Sequence, residues 1–141
     1  MPHRLNLVER HHKRLLEIVS AALPLITGSA RDADLIGLRY LRQETVEALA
    51  SYARLVADMV DNAEGSGDGR AAFVAGTLQA RCRTIGGSYE TFRGRWLERV
   101  ALDNWAEYRL SAILMMKRVR DEILLSAKVA AADHGEAAWP A

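Results

Sequence analysis

Few residues in this chain are equipped for chemistry, and His12 is the best placed of them. Val8, Leu15 and Val19 share its helical face, so the imidazole belongs to an apolar, inward-facing line. A histidine there either donates a ring nitrogen to a nearby carbonyl within the core or ligates a metal. His11 projects about 100° away on the same helix, so the two imidazoles cannot share one inward site. Glu9 and His12 have the Glu-x-x-His spacing that metal-holding bundles use, but such bundles take that pair from two helices and here it occurs once. The other histidines, His3 and His134, lie near the ends. A carboxylate-rich site would draw on Glu44, Glu47, Glu90 or Glu107; Glu44 and Glu47 flank their helix's stripe rather than lying on it. If this chain held iron, the ligands would come from His12, Glu9, Glu44 and Tyr108.

Nucleophilic chemistry is less favoured still. Cys82 sits on a regular apolar seam between Leu78 and Ile85, where burial makes a thiol behave as a small hydrophobe with a raised pKa. No serine or cysteine is set in a nucleophile motif. The run Gly65-Ser-Gly-Asp-Gly69 lacks the following Lys-Ser/Thr and the preceding strand of a phosphate loop. No catalytic residue and no cofactor is expected, and the chain reads as a non-enzyme.

The elements that would position these groups are helices. Leu5, Val8, His12, Leu15, Val19 and Ala22 recur at steps of three and four and predict a helix over about 5–23, ended by Pro24. Leu35, Leu38, Arg42, Thr45, Leu49, Tyr52, Val56 and Met59 predict a second over about 34–61, with Asp32 or Asp34 as its cap. The stretch 61–69, with three glycines, predicts a flexible central hinge. Ala75, Leu78, Cys82, Ile85, Tyr89, Phe92 and Trp96 define a third helix, about 70–93, in which Gly86 and Gly87 imply a bend or a close helix approach. Leu97, Ala101, Trp105, Tyr108, Ala112, Met115, Val119 and Ile123 extend a fourth over about 97–132. Residues 133–141 read as a flexible tail after a single domain, 1–132. Four amphipathic helices without strand-like alternation predict an all-α, antiparallel up-down-up-down four-helix bundle.

Composition narrows the partner classes. The 141 residues carry 19 Lys and Arg against 18 Asp and Glu, a formal charge of +1, with no general signal for nucleic acid. One cysteine precludes an internal disulfide and favours a reducing, cytoplasmic setting. The most concentrated apolar run, Ala112 to Met116, is far shorter than the roughly 20 residues that cross a bilayer. Two features point instead to protein association. Arg93, Arg95, Arg99 and Arg109 surround Trp96 and Trp105, and Arg and Trp are favoured at interaction hot spots. Leu110 and Leu114, with Met115 and Met116, make the fourth helix apolar nearly all round, so more than one of its sides needs cover.

The first helix carries a run, Leu7-Val8-Glu9-Arg10-His11-His12-Lys13-Arg14-Leu15-Leu16, in which a histidine is followed three residues later by leucine. With this run and the layout over 5–125, the chain resembles the hemerythrin-like (HHE cation-binding) bundles, whose active members hold non-haem di-iron. Leu41-Arg42-Gln43-Glu44 is similar to that family's second-helix entry. The resemblance implies the bundle fold and places His12 at the first-helix ligand position. It puts Leu49 and Ala53, Cys82 and Gly86, and Tyr108 and Ala112 where the later ligands would stand, so the di-iron site is lost. The function expected is a small, non-catalytic regulator that binds a protein partner or dimerises. The alternative is a divergent iron or oxygen sensor built on His12. A third possibility is a small-ligand pocket beside Gly86 and Gly87, where side chains are missing.

Overall fold

The computed structural model of the protein describes residues 2–29, 33–96 and 101–132, with side chains from residue 5 onward. Four helices account for nearly all of them: α1 Pro2–Ile26, α2 Leu35–Ser66, α3 Gly69–Arg95 and α4 Trp105–Ala132, with no strand among the described residues. Each helix packs against two others, α1 against α2 and α4, and α3 against α2 and α4. The apolar stripes meet in one core. Every described member of the α1 and α3 stripes is buried, as are the α2 positions from Thr45 to Met59 and the α4 positions from Trp105 to Ile123. None of the four helices is long and apolar enough to cross a membrane.

The element ends differ from the sequence expectation in three places, each for a local reason. α1 continues through Pro24 to Ile26. A proline so near the C-terminus removes one helical hydrogen bond where the freed carbonyl is open to water, while buried Ile26 holds the last turn on the core. α2 does not end at 61. Ala63 is buried and prolongs the Tyr52, Val56, Met59 line by one more step, so packing carries the helix through the acids and Gly65. The expected hinge shrinks to a two-residue turn. Gly67 there has φ +72°, which a glycine adopts without penalty, and the Asp68 carboxylate accepts from the backbone N–H groups of Arg70 and Ala71 to start α3. The third difference is at α4, which begins at Trp105, after a turn at 101–104. Leu97 and Arg99 lie outside the described residues, as do Asp32, His134 and the tail 133–141. Asp34 caps α2, its side chain accepting from the Gly37 N–H at 2.8 Å.

Candidate functional site

The interior around His12 is a polar layer to which each helix contributes one side chain. His12 from α1 lies with its Nε2 2.8 Å from the hydroxyl of Tyr52 on α2, and the two rings meet edge to face at 5.0 Å. The partner is thus a phenol rather than the carbonyl expected. Burial, and then the neighbouring His11, push the imidazole down to about 4, so His12 is neutral near pH 7. Burial first, then Cys82 of α3, push the Tyr52 phenol well above its ordinary range, while hydrogen bonding to buried Ser126 of α4 works the other way. Both groups are therefore uncharged, and a phenol donating to an imidazole acceptor satisfies the pair without any ion. Cys82 is buried and its thiol is pushed up by that burial, which keeps it protonated and poorly nucleophilic.

The residues a metal would need do not gather. Glu9 is exposed, and Glu44 receives a hydrogen bond from Arg14 of α1 at 3.0 Å. Tyr108 belongs to a separate aromatic group with Phe92, Trp96 and Trp105, under the Arg42 guanidinium. Among the described residues no three His, Cys, Asp or Glu side chains come together as a ligand set. With the His12 Nε2 engaged by Tyr52 and the carboxylates outside, these residues do not fit di-iron. Of the positions the resemblance put at the later ligand sites, Leu49, Cys82, Tyr108 and Ala112 are buried, but Ala53 is exposed. The inward residue on that turn of α2 is Tyr52, one position earlier.

The Arg/Trp cluster divides into core and rim. Trp96 is 2% exposed, and its indole Nε1 donates to Ser111 Oγ at 3.4 Å. Trp105 is also buried and donates to the Gly28 carbonyl at 2.9 Å, tying the start of α4 to the chain after α1. Neither indole lies on a surface that a partner could touch, a correction to the expectation from their arginine-rich setting. Both rings instead pack on Tyr108, with Trp105 coming from one turn earlier on α4 and Trp96 from the end of α3. Arg93, Arg95 and Arg109 are exposed; Arg93 pairs with Glu90, and Arg95 pairs with Glu107 while covering the Trp96 ring. Arg93 and Arg95 are thus balanced within the chain. Gly86 and Gly87 mark no close helix approach, since a Cβ at either would meet nothing within 4 Å. A partly open cavity of about 30 Å³ lies elsewhere, between apolar side chains of the core and the polar groups of Arg42, Thr45, Tyr89 and Tyr108.

Among the described residues, large apolar side chains are exposed on α2 (Ile36, Tyr40) and α3 (Phe73), and the most numerous group lies on the outer side of α4. Leu110 is 61% exposed, Leu114 59%, Leu124 46% and Leu125 42%, while Tyr108, Ala112, Met115, Met116, Val119 and Ile123 on the opposite side are buried. The sequence pointed to the first two leucines. It also contained the signal for the rest, because Leu124 continues the same line two heptads beyond Leu110. Comparison of the chain with known protein families, with curated proteins and with solved structures finds no match in any of the three.

Proposed function

We propose that this chain is a non-catalytic, hemerythrin-like bundle of up-down-up-down topology, without iron, that acts through protein association at the outer face of α4. The single observation that carries the reading is that α4 is apolar on two opposite sides and the fold covers one of them. Leu110 with Leu114, and Leu124 with Leu125 about three turns on, lie on the outer side of one rigid helix, a grouping that marks an interaction site rather than scattered surface residues. The antiparallel topology is supported by the turn at Gly67 and Asp68, because two residues can join packed helices only if the chain reverses direction. The hemerythrin-like assignment is supported by the inward position of His12 on α1, and the absence of iron by the buried non-ligand residues Leu49, Tyr108 and Ala112 and the buried, protonated Cys82. Iron sensing has less support, since the His12 Nε2 is engaged by Tyr52, Glu44 is held by Arg14 and Tyr108 belongs to a separate aromatic group, which leaves only exposed Glu9 beside His12.

Sedimentation velocity tests the reading. The wild-type protein is expected to associate with itself as its concentration rises toward about 0.1 mM. Leu114→Glu, which places a charge beside Leu110 on the exposed rim of a groove that Phe92 and Met115 also line, is expected to remain monomeric with unchanged helicity. A wild-type protein that stays monomeric at that concentration contradicts the proposal.

A further inference from the structure

The outer stripe of α4 has a register as well as a composition. Leu110, Leu114, Lys117, Asp121, Leu124 and Lys128 follow one another at steps of four and three. That is heptad seam spacing, and at about 100° per residue the six positions span roughly 80° of the helix surface. The seam lies opposite the core line of Tyr108, Ala112, Val119 and Ser126. All six side chains are exposed.

We propose that this seam pairs with the same seam of a second copy, the two α4 helices running antiparallel about a two-fold axis that meets the seam face at the height of residue 119. The inference rests on the association reading above and adds the partner and the register. In an antiparallel pair each a position faces a d position of the other helix, and centring the pair on residue 119 satisfies that rule at every layer. Leu114 then packs against Leu124 of the second copy, twice by symmetry. Lys117 faces Asp121, also twice, and Leu110 lies under the methylene stem of Lys128. The alternatives are worse in kind. A parallel pair sets Lys117 against Lys117 and Asp121 against Asp121. Sliding the antiparallel pair by one heptad in one direction opposes Lys117 to Lys128 and Asp121 to Leu124. Sliding it in the other opposes Leu114 to Lys117 and Leu110 to Asp121. Only one register joins leucine to leucine and cation to anion. The Arg120 contact to Asp121 at 3.5 Å does not prevent this, because both side chains are largely solvated and such a pair contributes little.

Charge reversal at the two central layers tests both the partner and the register, with sedimentation equilibrium as the readout. Asp121→Lys and Lys117→Asp, each alone, set like charges opposite one another and are expected to weaken the dimer about tenfold or more. The double variant carrying both changes restores opposite charges in the antiparallel register and is expected to dimerise like the wild type. Single variants that dimerise as tightly as wild type, or a double variant that stays weakened, overturn the register. If Leu114→Glu abolishes a dimer that ignores these charge changes, only the register falls. If the wild type does not dimerise, the association reading falls with it.

Discussion

Trp96→Ala is expected to destabilise the fold by about 3–5 kcal/mol, the largest effect of any single change considered. Trp96 is the biggest fully buried side chain and stands immediately after the last residue of α3. Its ring meets Tyr108 edge to face at 5.0 Å, an arrangement that adds to the contribution of buried area. Its Nε1 reaches Ser111 on α4, and its backbone N–H closes the end of α3 on the Arg93 carbonyl. Truncation therefore opens a cavity where α3 turns toward α4 and leaves Tyr108 without one of its faces. Trp96→Phe keeps an aromatic ring and is expected to cost less than half as much. Urea unfolding at pH 7 with a single probe of helix content measures both. A loss below about 1 kcal/mol for the alanine variant would show that the ring does not hold the two helices together.

The second large effect is acid sensitivity from His12. Its imidazole lies at about 4 in the folded chain against 6.5 in an exposed one, so the unfolded state binds a proton more readily than the folded state. Stability is then complete above pH 6.5 and is lost as pH falls from 6.5 toward 4, reaching a loss of about 3 kcal/mol from this group. His11 is shifted in the same direction, by burial and then by Arg14 and Arg54, and adds to the slope. The urea midpoint is expected to drop between pH 7 and pH 4.5, with most of the drop removed in His12→Gln. That amide has no titrating group and can accept from Tyr52. A midpoint that rises on acidification would give the linkage the wrong sign.

The helices were legible because their stripes are long and regular. The seam from Ala75 to Trp96 needed no tertiary information, since seven positions at steps of three and four can be buried together only on a helix. Their ends were less legible. Pro24 and Gly65 are local signals for stopping, but Ile26 and Ala63 lie within reach of the core and burial outweighs propensity. The start of α4 was misread for a related reason, because Ala101 and Trp105 stay in phase across a turn. The site was harder to read than the fold. Tyr52 was visible as a stripe residue, but pairing across forty positions with His12 has no sequence signature. The stripes place Trp96 and Trp105 inward while their flanking arginines suggest partner contacts, and burial decides for the stripes, with the arginines radiating outward from rings that point inward. The outer leucines of α4 were half legible. Leu110 and Leu114 stand out, whereas Lys117 and Asp121 disguise the seam that continues to Leu124.

A neutral histidine engaged with a phenol closes the polar layer of the bundle, and the proposed metal-free reading depends on that pair. Following the His12 ring nitrogens by NMR from pH 8 downward tests this most directly. The account predicts that His12 is still neutral at pH 5.5, where a free imidazole is mostly protonated, and that its Nε2 keeps the signature of a hydrogen bond to Tyr52. A midpoint near 6.5, or a ring that titrates without reference to Tyr52, would contradict it.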